Sequence, residues 1–186
     1  MEYSIAILKS YKKISLLRKL IYLNMKENKK VSNINTMELI TAANLNDTQA
    51  NLIDLATKAT DKAHAPYSNF RVGAAVILAD GQTFWANNQE NISYPAGICA
   101  ERVLLSYTHA NFPSIKPLSI AIVAKKSDNT GLATVTPCGL CRQTISEYEM
   151  KFDSPIEVLM LRSDGSVLKA DGIDQLLPYK LEDLNI

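Results

Sequence analysis

Two kinds of hydrophobic pattern alternate along the chain. From Thr48 to Ala63 apolar residues recur every three or four positions, at Leu52, Leu55, Ala56, Ala59 and Ala63, which predicts an amphipathic helix. Asn46-Asp47-Thr48-Gln49 has the form of a capping box, a short polar side chain followed three residues later by Gln. Ala65-Pro66-Tyr67-Ser68 ends the helix, because proline disfavours helical backbone in the residue before it. Arg71–Ala79 and Gln82–Asn87 then flank Asp80-Gly81, the signature of a β-hairpin. Asn88–Gly97 reads as a loop, and Cys99–Ala110 as a second helix with Val103, Leu104 and Tyr107 inward. Leu118–Ala124 is continuously apolar, as a strand buried on both faces is. A third helix is expected over Gly139–Met150, two strands over Ile156–Leu161 and Val167–Ala170, and a short closing helix over Ile173–Leu177. Helices alternating with strands predict an α/β domain around one central sheet.

Composition agrees with a single globular domain: 186 residues, 47% hydrophobic and 21% charged. These values exclude a disordered, collagenous or coiled-coil chain. A net charge of +1 provides no overall basic field for nucleic acid, so no nucleic-acid partner is expected. The charge is unevenly spread. Residues 1–30 carry eight basic side chains against Glu2 and Glu27, a net of +6, which leaves −5 on the rest. The longest apolar runs there, Ile5–Leu8 and Leu20–Leu23, are shorter than a secretory signal or a membrane span requires. Ile14, Leu17, Ile21 and Met25 at helical spacing would suit a membrane surface or an acidic partner. The plainer expectation is a poorly ordered basic extension over residues 1–36, or a start upstream of Met25 or Met37, on a domain spanning 37–186. A cytoplasmic protein with no membrane partner is expected.

All three cysteines lie in two short segments, Ile98-Cys99-Ala100-Glu101-Arg102 and Pro137-Cys138-Gly139-Leu140-Cys141-Arg142. An odd count argues against a disulfide framework. A C-x-x-C alone is shared by redox motifs and zinc sites, but a further Cys two residues before a Glu narrows the choice. Cys138 and Cys141 fall on one side of the first turn of a helix, and Cys99 opens another. The positive end of a helix dipole lowers a thiol toward the thiolate a metal needs. Three thiolates around Zn²⁺ leave one position open, the pattern of a catalytic site. Glu101, two residues from a ligand, is placed to take a proton from attacking water and pass it on. The arrangement resembles the zinc-deaminase signature, with Cys99 at the first position rather than His. Three thiolates on Zn²⁺ sum to −1, so Arg102 and Arg142, each next to a ligand, are placed to hydrogen-bond the sulfurs and withdraw charge. The plainer reading of each is a surface arginine.

From about residue 48 to 184 the chain resembles the small-subunit, homotetrameric cytidine deaminases. The matching stretches are Ala65-Pro66-Tyr67-Ser68-Asn69-Phe70, Val72-Gly73-Ala74-Ala75, Asn88-Gln89-Glu90-Asn91, Tyr94 through Arg102, Pro137 through Gln143, and Leu176-Leu177-Pro178. The resemblance implies a three-layer α/β/α fold around a five-stranded mixed sheet, one Zn²⁺ per subunit, and hydrolysis of cytidine or deoxycytidine to the uridine form plus ammonia. It places Asn88 and Glu90 on the ribose hydroxyls, Phe70 and Tyr94 at the substrate pocket, and the backbone of Ala100 at the base carbonyl. Glu101 would shuttle the proton, and Cys99, Cys138 and Cys141 would hold the metal. On their own, Asn88–Asn91 would read as a polar loop and Phe70 as a core aromatic.

Related enzymes carry a Phe after Leu-Leu-Pro that reaches a neighbouring subunit. Here the segment is Pro178-Tyr179-Lys180-Leu181-Glu182-Asp183-Leu184, in which Tyr179 or Leu181 would take that place. The rival readings are a same-fold deaminase of another aminated heterocycle, such as blasticidin S, and a noncatalytic zinc module. The latter requires a fourth protein ligand.

Overall fold

The computed structural model describes residues 36–181, apart from residues 127 and 129. The basic extension, Thr36 excepted, lies outside the described residues. The first helix, α1 (Asp47–Ala59), begins with the expected capping box: Asn46 Oδ1 accepts the Gln49 N–H at 2.9 Å, and Gln49 Oε1 accepts the Asn46 N–H at 3.1 Å. It ends earlier than its apolar pattern suggests, passing into a 3₁₀ turn over Thr60–Lys62. There the Thr60 hydroxyl donates to Thr57 O at 2.6 Å, a local bond that competes with the helical ladder.

The sheet has the order β1-β7-β6-β4-β2-β3. Its strands are β1 (Glu38–Ile40), β2 (Arg71–Leu78), β3 (Thr83–Asn87), β4 (Pro117–Lys125), β6 (Glu157–Leu161) and β7 (Val167–Ala170), with β5 (Leu132–Ala133) beside β4. Only β4 and β6 run parallel, so the sheet is mixed, as expected. Five strands were expected, and the described residues form seven. The additions, β1 and β5, have three and two residues, too few to show an alternation.

Alternation in the central strands sends side chains into two cores. Ala74, Val76, Ile120, Ile122, Val158 and Met160 face α2 (Ala100–Asn111) and α3 (Gly139–Phe152). Ala75, Ala121, Val123, Leu159 and Leu161 face Leu52 and Ala56 of α1. The result is three layers, α/β/α, and it explains why these strands read as unbroken apolar runs. Gly73 sets the closeness of one layer: a Cβ there would fall on the Ala56 carbonyl oxygen and within 2.9 Å of Thr60 N.

At the other end of α3, Asp153 takes a left-handed conformation (φ 46°), the usual device for stopping a helix. The buried Glu149 ties that end to two later segments, its Oε1 accepting the N–H of Ile156 at 2.8 Å and of Ile173 at 2.9 Å. Burial raises the Glu149 carboxyl above the ordinary range, against these two hydrogen bonds. A raised native pKa means stability is lost as pH climbs from the unfolded value through the folded one. Glu149→Gln keeps the acceptor without a titrating proton, so its stability relative to the parent should increase from pH 4 to pH 7. Glu149→Ala orphans two N–H groups, at about 1–3 kcal/mol each. Denaturant melts across pH check both outcomes.

Candidate functional site

Helices α2 and α3 each begin with a cysteine as the N-cap, Cys99 and Cys138, and neither side chain caps its helix. The positive ends of both helix dipoles therefore lie at the sulfurs. Cys99 Sγ lies 3.8 Å from Cys138 Sγ, which lies 3.5 Å from Cys141 Sγ, and all three fall within 4.8 Å of one another. Tetrahedral Zn–S bonds of about 2.3 Å place sulfurs about 3.8 Å apart, so this trio fits Zn²⁺ without rearrangement. Among the described residues no fourth His, Cys, Asp or Glu joins the group. A closed structural centre is thereby disfavoured.

The thiols interact strongly. Cys99 is lowered to about 6, first by its hydrogen bond with Cys141, then by Cys138 and the charge of Arg102, against partial burial. Cys141, the buried partner, is pushed up correspondingly. One thiolate forms readily and its charge retains the next proton, until a dication displaces the protons from all three. Glu101, in the first turn of α2, is only 4% exposed. Burial, assisted by the negative charge of Cys99, raises its carboxyl, which keeps a proton available there to higher pH than an exposed Glu would.

A cavity of about 330 Å³ opens onto this group. Of the residues singled out in the sequence, Phe70, Asn88, Glu90, Tyr94, Cys99, Glu101 and Cys138 line it. Ala100 and Cys141 are buried behind it, and neither Arg102 nor Arg142 lines it. Glu90 is an anion in the cavity lining, held below the usual carboxylate range by the Ser68 hydroxyl and by the N–H groups of Tyr67 and Ser68. Asn88 faces the cavity with half its amide committed: Nδ2 donates to Phe70 O at 2.9 Å, and Oδ1 accepts the Val72 N–H at 2.8 Å. One N–H and one lone pair remain for a ligand. Tyr94 is 76% exposed at the rim and meets Tyr67 edge-on.

The arginines divide. Arg102 acts on Cys99 through its charge, with no hydrogen bond to a sulfur. Arg142 points elsewhere: Nε donates to Pro137 O at 2.8 Å, Nη1 to Leu176 O at 2.9 Å and Nη2 to Thr136 Oγ1 at 3.1 Å. It braces the turn that carries Cys138 against the Leu176-Leu177 segment. Sequence reasoning assigned no role to Ser68, Val135 or Thr136, which also line the cavity. Ser68 belongs to the Ala65–Phe70 motif. Val135 and Thr136 carry no signal beyond preceding the Pro-Cys pair.

Residues 46–152 match the family model of the cytidine and deoxycytidylate deaminase zinc-binding region. A probable cytidine deaminase of Dictyostelium discoideum is 37% identical over 134 residues, covering 71% of this chain and 84% of that protein. A cytidine deaminase of Sporosarcina psychrophila is 34% identical, covering 72% and 93% respectively. The crystal structure of cytidine deaminase from Burkholderia pseudomallei superposes with a TM-score of 0.61 at 34% identity, over 74% of this chain and all of that one.

Arg142→Lys retains the charge but has no planar fork to reach three acceptors. It should cost about 1–3 kcal/mol and accelerate zinc loss to a chelator. A variant with the parent's melting temperature and zinc retention would contradict the brace.

Proposed function

Because the chain belongs to the cytidine and deoxycytidylate deaminase family, we propose that it hydrolyses the exocyclic amine of cytidine and deoxycytidine, giving uridine or deoxyuridine and ammonia. The observation that carries this reading is a buried Glu101 two residues from Cys99 of a three-thiol cluster, lining one cavity together with Asn88 and Glu90. Cys99, Cys138 and Cys141 hold the zinc, which when bound supplies the Lewis acidity that makes hydroxide available near neutral pH.

Glu101 manages the protons. Attack of water on C4 requires a proton at N3, and departure of the amine requires a second transfer to nitrogen. A single carboxyl whose burial favours the protonated form can accept the proton given up by water, deliver it to N3, and then serve the leaving group. Water enters, ammonia leaves, and no redox partner is needed. Asn88 and Glu90 bind the ribose hydroxyls, Phe70 and Tyr94 flank the base, and the Ala100 backbone meets the base carbonyl at the start of α2. These remote contacts hold C4 in place for attack. Arg102 offsets part of the negative charge of the trithiolate. Deamination of a different aminated heterocycle, blasticidin S among them, would leave the Asn88 and Glu90 pair without ribose hydroxyls to bind.

The working form is a homotetramer. Support comes from the family resemblance and from apolar side chains left open: Ile92 at 82% exposure, Tyr94 and Tyr179 at 76%, Leu140 at 66%. Tyr179 and Leu181, the candidates for the inter-subunit contact, are both exposed. Cysteines kept as thiols and a free nucleoside as substrate fit a cytoplasmic enzyme of pyrimidine salvage. No helix among the described residues is long and apolar enough to cross a membrane.

The ultraviolet spectrum of cytidine incubated with zinc-replete protein should convert to that of uridine, and stripping the metal should stop it. Glu101→Gln should keep its zinc and lose about 10²–10⁴-fold in turnover, the usual contribution of a general acid–base group. An unchanged cytidine spectrum with folded, zinc-loaded protein contradicts the substrate. Full activity of Glu101→Gln contradicts the proton shuttle.

A further inference from the structure

Glu90 and Phe70 face the same cavity from different segments, and one side chain joins them. The Ser68 hydroxyl donates to Glu90 Oε1 and accepts the Phe70 N–H at 3.0 Å. Glu90 Oε2 accepts the N–H of Tyr67 at 2.9 Å and of Ser68 at 3.3 Å, so both carboxylate oxygens are engaged by one turn. The turn depends on Asn69, whose φ of 55° lies in the left-handed region that Asn tolerates better than most residues. Its N–H donates back to Ala65 O at 2.9 Å. On the other side of Phe70, the carbonyl is held by Asn88 Nδ2. Backbone bonds complete the frame: His64 N–H to Asn88 O at 3.1 Å, and Glu90 N–H to His64 O at 2.8 Å. Phe70 is therefore fixed at its N–H through Ser68, which holds Glu90, and at its C=O through Asn88.

We propose that Ser68 is a positioning residue for nucleoside binding: its hydroxyl holds the Glu90 carboxylate at the sugar end of the cavity and the Phe70 backbone at the base end, so that one side chain sets the spacing between the two recognition elements. The proposal rests on reading the cavity as a nucleoside site. Ser68 is hydrogen-bonded to Glu90 and Phe70 and to neither Glu101 nor a cysteine, so its removal should act on binding. Without the hydroxyl, Oε1 of Glu90 loses its charge-assisted partner and the Phe70 N–H loses its acceptor, while the two backbone donors keep the carboxylate near the turn. The carboxylate then samples several orientations, and a ligand must order it at the cost of affinity.

The test is steady-state kinetics of the zinc-loaded parent, Ser68→Ala and Ser68→Thr on cytidine and on 2′,3′-dideoxycytidine, which lacks the sugar hydroxyls assigned to Glu90 and Asn88. Ser68→Ala should raise KM for cytidine about tenfold or more, with kcat within about twofold of the parent. Its preference for cytidine over the dideoxynucleoside should fall by about the same factor as KM rises. Ser68→Thr, which retains a hydroxyl, should restore most of both, and it carries the test should the alanine variant fail to fold. Parent-like KM and preference in Ser68→Ala overturns the proposal, as does a loss confined to kcat, or a threonine variant as impaired as the alanine one. A parent enzyme inert toward cytidine overturns the nucleoside reading, and this role with it, whereas an active parent beside a fully selective Ser68→Ala overturns the role of Ser68 alone.

Discussion

Two helices start at cysteines whose side chains do not cap them, and the three sulfurs of the site gather at those two N-termini. Leaving a helix N-terminus without a polar cap costs about 1 kcal/mol, so two such ends meeting at one place require a compensating charge. Thiolate is that charge, and three thiolates around Zn²⁺ still leave a net of −1 at the two helix ends. Everything else about the site follows from where the helices are held. Leu104, Leu105 and Ile145 anchor α2 and α3 on the sheet face formed by Val76, Ile120, Ile122, Val158 and Met160. Arg142 fixes the turn before α3, and Glu149 fixes the end after it. A metal site assembled from two elements is as rigid as the core beneath them.

Much of this was legible in the sequence because the relevant signals are local. The capping box at Asn46, the Asp-Gly hairpin, the buried run through β4 and the three cysteines each depend on residues within a turn or two of one another. Spacing alone put Cys138 and Cys141 on one side of a helix, and their sulfurs are 3.5 Å apart. What the sequence concealed was non-local. The strands β1 and β5 are defined only by their partners, β7 and β4. An arginine next to a metal ligand suggests a bond to sulfur, yet the three acceptors of Arg142 include a carbonyl 34 residues away. Val135 and Thr136 join the cavity because β4 and the Pro137 turn meet there, which no periodicity announces.

The two walls of the cavity are built on different principles. At the metal wall, burial raises the Glu101 carboxyl, while the charge of Arg102 and the helix dipoles favour thiolate at Cys99. Around Asn88 and Glu90 the lining is polar, and there side chains mostly hold backbone. Asn88 spans Phe70 and Val72, and Glu90 holds Tyr67 and Ser68. Their carboxylate and amide arrive at the ligand already oriented, which lowers the ordering cost of binding. The same bonds join the Ala65–Phe70 turn to the Asn88–Glu90 segment, two stretches that in the sequence looked like separate motifs.

The central claim is that three thiolates, and no fourth protein donor, form the metal site. Cobalt(II) substituted for zinc in the folded protein reads this directly. The account predicts one cobalt per chain, intense visible bands of a tetrahedral ion, and sulfur-to-cobalt charge transfer that decreases stepwise as Cys99, Cys138 or Cys141 is replaced by Ser. Weak octahedral bands, or charge transfer unaffected by one of the three replacements, would contradict it.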